Sequence, residues 1–186
     1  FMKGKIRSFG VSDDFFMYDH SAGARLGIYY YENGAYPRKP KVIYDRQHSS
    51  FFSLSLDEIP EEVYTASKCF HTTGITLALS PQIRETTTEM IKRFKEAGTL
   101  VSFDVNYRAN LWSGDEAREA ILKILPYVDI FFCSEDTARL TFHKTGTARE
   151  MMKSFTEEFP ISIVASTQRI VHSPKRHTFG SVIYDA

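Results

Sequence analysis

The stretch Val101-Ser-Phe-Asp-Val-Asn-Tyr-Arg is the part of this 186-residue chain best equipped for chemistry. An apolar run there ends in a polar segment that carries Asp104, Asn106 and Arg108. A planar guanidinium such as that of Arg108 can hold a carboxylate or a phosphate through two parallel hydrogen bonds. The same side chain could instead pair with Asp104 as scaffolding of its own loop, and position alone leaves both roles open. A second candidate is Lys41-Val-Ile-Tyr-Asp-Arg. Strand alternation puts Val42, Tyr44 and Arg46 on one face, with Ile43 and Asp45 on the other. Tyr44 and Arg46 could then offer a hydroxyl and a guanidinium to one small anion, or only a cation–π contact on a solvated hairpin.

Three further segments fall where α/β sheets gather ligands, at the carboxyl ends of strands. They are His71-Thr-Thr-Gly-Ile-Thr, Ser134-Glu-Asp-Thr and Ser166-Thr-Gln-Arg. Ser113-Gly-Asp resembles part of a phosphate loop, but it stands just before a helical stripe beginning at Glu116, which makes it a helix cap. Neither Gly-x-x-x-x-Gly-Lys nor Gly-x-Gly-x-x-Gly occurs. The six histidines show no metal-ligand spacing, and His71 near Cys69 reads as a strand-end residue.

The elements that must position these residues follow from periodicity. Arg25–Glu32 and Lys41–Arg46 are apolar-aromatic runs separated by Asn33-Gly and two prolines, the signature of an antiparallel hairpin with a long loop. Its tyrosines fall on both faces, which suits a lid over a site or a clasp to another subunit. Beyond residue 57 strand and helix patterns alternate: Ser67–Thr73, Thr99–Val105, Asp129–Cys133 and Ile161–Ala165 as strands. Between them Pro81–Ala97, Glu116–Leu125 and Thr147–Glu158 carry helical stripes. Pro81 suits a first helical turn, and Gly98 suits a stop. The pattern predicts an α/β fold with a mostly parallel sheet flanked by helices. The expected divisions are a connector over 1–24, a hairpin over 25–52 and an α/β core over 53–186. Residues 1–24 show no convincing period.

Composition narrows the function. Formal net charge is zero, from 23 basic and 23 acidic residues, so the electrostatic footprint of a nucleic-acid binder is missing. Ser173-Pro-Lys-Arg-His is a short basic turn. The apolar runs are strand-sized, and no membrane partner is expected. Cys69 and Cys133, far apart in apolar runs, read as buried thiols of a reducing compartment, with the cytoplasm as the expected location. The chain opens on Phe1 and stops just after the strand-like run from Ser181, so it is expected to be a piece of a longer protein.

Several segments together resemble a known family. Gly27-Ile-Tyr-Tyr-Tyr-Glu-Asn-Gly, Lys41-Val-Ile-Tyr-Asp-Arg with Ser49-Ser50, His71-Thr-Thr-Gly-Ile, and Phe103-Asp-Val-Asn-Tyr-Arg-Ala-Asn-Leu-Trp are similar to the 2-keto-3-deoxygluconate kinases of the ribokinase-like (PfkB) sugar kinase family. The resemblance implies a ribokinase-like fold, incomplete here at both ends, with the hairpin as a β lid that pairs copies into a homo-oligomer. It implies ATP-dependent phosphorylation of the keto-acid, with Mg2+ as the accompanying ion. Carried over by motif, Tyr29, Tyr44, Asp45, Arg46, Ile75 and Arg108 would meet the sugar acid. Asn106, Tyr107, Arg108, Ser166, Thr167 and Gln168 would border the nucleotide. Two departures stand out. The family's Asn-x-x-Glu stretch falls on Ser134-Glu-Asp-Thr, which puts metal handling there in doubt. The Gly-x-Gly-Asp segment that supplies the general base is absent, so no catalytic residue is assigned and the chain by itself is expected not to turn over. Two alternatives remain: a related kinase for fructose or another neutral sugar, and a non-catalytic binding or dimerisation module.

Overall fold

Apolar stretches of about five residues, each closed by a polar or glycine-containing segment, become strands here because they are too short for an amphipathic helix. In the computed structural model residues 2–35, 37–173 and 176–186 are described, and the chain divides into two compact units, residues 1–63 and 64–186.

The first unit opens with helix α1 (Met2–Arg7) and contains strands β1 (Ile28–Glu32) and β2 (Lys41–Asp45). The strands pair antiparallel, Tyr29 opposite Tyr44 and Tyr31 opposite Val42, as the two runs predict. Between the two strands, Tyr36 lies outside the described residues. Arg25 closes the base of the hairpin, with its guanidinium 2.8 Å from the Asp45 carboxylate and donating to the Gln47 carbonyl at 3.1 Å. Every residue of both strands is exposed. Arg46, just past the end of β2, lies 4.7 Å from the ring centroid of Tyr44 within that strand. Helix α1 corrects the reading of residues 1–24 as patternless. Six residues cannot display a 3.6-residue stripe, and this helix is tied down by charge instead: buried Asp13 pairs with both Lys3 and Arg7.

Helix α2 (Glu62–Ala66) leads to β3 (Cys69–Thr73), α3 (Gly74–Ala78), α4 (Pro81–Glu96), β4 (Leu100–Asp104), α5 (Gly114–Ile124), β5 (Ile130–Phe132), α6 (Glu135–Leu140), α7 (Ala148–Glu158), β6 (Ile163–Ser173) and β7 (Arg176–Asp185). The sheet order is β3-β4-β5-β6-β7, with β3 to β6 parallel and β7 antiparallel at the edge. Local chemistry sets the helix ends. Ser80, Ser113 and Thr147 each accept a hydrogen bond from the backbone N–H three residues on, and Glu116 and Glu150 reach back to complete capping boxes. Gly98, at φ +80°, ends α4 as expected.

One face of this sheet is the core. In register, Phe70, Val101, Phe103, Phe131 and Val164 share that face, and helices α4 and α7 pack on it. Phe70 stacks on Phe94 at 4.1 Å, and Phe131 meets Phe155 edge-on at 5.0 Å. Each fully buried side chain of this size contributes about 1.5–3 kcal/mol. The opposite face carries Cys69, His71, Leu100 and Phe132, all exposed. Cys69 is therefore not the buried thiol expected from its apolar run: alternation turns it away from the helices, and only Cys133 is buried.

Two further differences concern element ends. Gly74–Ala78 forms a helix directly after β3, where the sequence suggested only a strand end. Strand β6 does not stop at Ala165 but runs to Ser173, because residues 166–171 pair with residues 177–182 of β7. Ser173 pairs with Arg176 at the end of this ladder, and Pro174 and Lys175, part of the expected basic turn, lie outside the described residues.

Candidate active site

A cleft of about 540 Å³ opens in the second unit at the carboxyl ends of β4 and β5 and beside β6. Its walls come from Asp104–Arg108, Phe132–Ser134, Thr137, Ala165–Thr167 and the β7 residues Ser181 and Ile183. The register that puts Asp104 beside Phe132, Phe132 beside Ala165, and Ala165 beside Ile183 produces this wall. Parallel strands that end together leave such a crevice where their loops diverge.

The Asp104–Arg108 loop is held by its own backbone chemistry. Asp104 accepts from the Asn106 N–H at 3.0 Å, and Asn106 adopts φ +37°, a conformation that asparagine tolerates better than most residues. The Val105 N–H donates to the Phe132 carbonyl at 3.0 Å, which ties the loop to β5. Arg108 is exposed and makes no ion pair among the described residues; its Nη1 donates only to the neighbouring Tyr107 carbonyl, at 3.3 Å. Asp104 thus does not neutralise Arg108.

On the opposite wall Ser166 is 4% exposed, and its Oγ has no hydrogen-bond partner among the described residues. Ser134 and Thr137 satisfy one another, Oγ to Oγ1 at 2.8 Å, while Ser134 caps α6. Burial, with a smaller contribution from the Asp104 charge, pushes the Cys133 thiol well above its ordinary range, which disfavours the thiolate that a nucleophile requires.

Of the residues singled out from sequence, the cleft brings together Asn106, Tyr107, Arg108, Ser166 and Thr167. Gln168 is exposed on β6 opposite Gly180, outside the lining. Ile75 is half-buried in α3, also outside it. Tyr29, Tyr44, Asp45 and Arg46 belong to the hairpin of the first unit, where Tyr29 faces Tyr44 with ring centroids 6.3 Å apart. Thr137 and Ser181, not assigned individually from sequence, also join the lining. Thr137 stands in the Ser134-Glu-Asp-Thr segment already noted, whereas Ser181 is brought in by cross-strand register with Thr167.

The donor set suits an anion. Arg108, without an ion pair among the described residues, lines the cleft together with Ser134, Thr137, Ser166, Thr167 and Ser181, and phosphate oxygens accept from guanidinium and hydroxyl donors alike. It does not suit a divalent cation. The lining holds one carboxylate, Asp104, already engaged by Asn106, and among the described residues no cluster of three His, Cys, Asp or Glu is placed to hold a metal. The Mg2+ implied by resemblance finds no fitting ligand set in these walls.

Fold and cleft together define a ribokinase-like α/β domain. The chain belongs to the pfkB family of carbohydrate kinases, whose model matches residues 1–168. It is 34% identical over 181 residues to a 2-dehydro-3-deoxygalactonokinase of Haloferax volcanii, covering 97% of this chain and 55% of that protein. A fructokinase of Zea mays is 34% identical over 131 residues, which is 70% of this chain and 39% of the relative. Among solved structures, the 2-dehydro-3-deoxygluconokinase of Thermotoga maritima superposes with a TM-score of 0.86 at 28% identity, over 98% of this chain and 56% of its own. The chain thus spans about half the length of the Haloferax volcanii and Thermotoga maritima relatives.

Proposed function

We propose that this chain carries sugar-acid and nucleotide contacts of an ATP-dependent kinase acting on 2-keto-3-deoxygluconate or its galactonate counterpart. The observation that carries the proposal is the Arg108 guanidinium, which makes no ion pair among the described residues, at a cleft that Ser134, Thr137, Ser166, Thr167 and Ser181 also line. A keto-acid brings a carboxylate, and ATP brings phosphates; a neutral sugar brings neither. In this reading Arg108 holds the acid or the transferring phosphate. Ser166 and Thr167 border the nucleotide with Asn106 and Tyr107. Tyr29, Tyr44, Asp45 and Arg46 supply a second set of sugar contacts from the hairpin, and Ile75 an apolar one. The exposed aromatic faces of the same hairpin suit pairing with a second copy.

The fructokinase of Zea mays supports a second reading, a kinase for a neutral sugar. Calorimetric titration of the purified chain with the two keto-acids, fructose and ATP separates them. Saturable binding of a keto-acid and of ATP, with fructose weaker, is the expected result. Fructose binding as tightly as either keto-acid would overturn the sugar-acid reading. Binding of none of the four would overturn the proposal as a whole.

A further inference from the structure

We infer that Gly74 and Arg84, neither of which lines the cleft, are positioning residues for the loop that presents Arg108; the inference rests on the ligand role proposed above for that arginine. Arg108 is exposed and has a single hydrogen bond, to its neighbour's carbonyl, so its direction follows from the path of its backbone. That path is bracketed at both ends.

At the entry, α3 packs against Val105. A Cβ on Gly74 would lie 2.1 Å from the Val105 carbonyl oxygen, 3.1 Å from its carbon and 3.6 Å from the Trp112 ring. Only hydrogen fits there, so the first residue of α3 sets where the loop leaves β4. The next residue, Asn106, is held by Asp104 in a left-handed conformation, so a displaced Val105 would be transmitted directly toward Arg108. At the exit, the Leu111 N–H donates to the Arg108 carbonyl at 2.9 Å, and the Tyr107 hydroxyl donates to the Trp112 carbonyl at 3.3 Å. Trp112 is buried.

Arg84, on α4, joins the two ends. Its guanidinium lies 5.4 Å from the Trp112 ring centroid, and its Nε donates to the Leu77 carbonyl in α3 at 3.0 Å. Arg84 therefore links the helix that fixes the entry to the side chain that fixes the exit. Neither Gly74 nor Arg84 touches the cleft, yet a catalytic or binding group displaced by about 1 Å can lose on the order of 100-fold in effect.

Trp112 is the chain's single tryptophan, so its emission reports on this brace directly. The test combines that emission with calorimetric titration of 2-keto-3-deoxygluconate and fructose into wild type and the variants Gly74→Ala, Arg84→Ala, Arg84→Lys and Arg108→Ala. Gly74→Ala and Arg84→Ala are expected to shift Trp112 emission and to weaken keto-acid binding about tenfold, while any fructose binding changes little. Arg84→Lys, which keeps a donor for Leu77 and a cation over Trp112, is expected to recover most of the loss. Arg108→Ala is expected to remove keto-acid selectivity with Trp112 emission unchanged. If Gly74→Ala does not fold, the Arg84 pair decides. Arg84→Ala with a lowered melting temperature but unchanged keto-acid affinity, or equal losses for acid and neutral sugar, would overturn the positioning role and leave the proposed function standing. Unchanged keto-acid binding by Arg108→Ala would overturn both.

Discussion

Replacing Ser166 by Ala separates what the fold needs from what the cleft needs. Its hydroxyl is buried and has no partner among the described residues, and the residue lines the cleft. A buried polar group without a hydrogen bond costs about 1–3 kcal/mol. Ser166→Ala removes that cost and leaves a space one oxygen atom in size, which at about 24 cal/mol per Å³ restores only a few tenths of a kcal/mol. The chain without ligand should therefore become more stable by roughly 1 kcal/mol, seen as a rise of about 2–4 °C in the melting temperature. If the hydroxyl serves phosphate oxygens, the same variant should lose about 0.5–1.5 kcal/mol of ATP affinity, or about 2- to 12-fold in Kd. Urea denaturation and calorimetric titration of ATP measure the two effects on one preparation. A variant that is less stable than wild type, with unchanged ATP affinity, would refute the reasoning, because it would mean that the hydroxyl is satisfied within the folded chain.

Three further outcomes are expected. Arg108→Ala should weaken 2-keto-3-deoxygluconate binding by about 1.5–3 kcal/mol, the range for a hydrogen bond to a charged group, or roughly 10- to 150-fold by calorimetry. The capping-box carboxyls of Glu116 and Glu150 sit below the ordinary glutamate range, held down first by the backbone N–H groups of Ser113 and Thr147. Their stabilisation is complete above the unfolded glutamate pKa and is lost as pH falls through the lower folded values, so denaturation midpoints should drop on acidification, and less steeply in a Glu116→Gln, Glu150→Gln double variant. Phe131→Ala should cost about 3–5 kcal/mol by urea denaturation, since the ring is fully buried and touches Phe103, Phe142 and Phe155.

The parts of the fold legible in the sequence are those where a local signal and burial agree. The run Leu100–Asp104 is apolar because parallel strands are covered where the helices pack, and Asp104 marks its end by turning back to bond Asn106. Ser113 with Glu116 and Thr147 with Glu150 announce their helices because a capping box is a contact within four residues. What stayed hidden depends on longer range or shorter length. Helix α3 has five residues and opens on glycine, so neither periodicity nor propensity marks it; its place follows from packing against Val105. Strand β6 beyond Ser166 is exposed on both faces, so it shows no apolar alternation, and its extended conformation comes from pairing with β7.

The same division runs through the cleft. Arg108 and Asn106 could be picked out because a polar strand end is visible in one segment, whereas Ser181 could not, since it enters only through its register with Thr167. That register has a physical determinant on the far side of the strand. Val182 and Tyr184 are half-buried while Ser181 and Ile183 are exposed, so β7 turns one alternate set inward and delivers the other to the cleft wall. A slip of one residue would bring Val182 and Tyr184 to the cleft and strand Ser181 and Ile183 on the helix side, exchanging a hydroxyl for an isopropyl group beside Thr167. The chemistry of this wall is thus set by apolar residues that never touch a ligand.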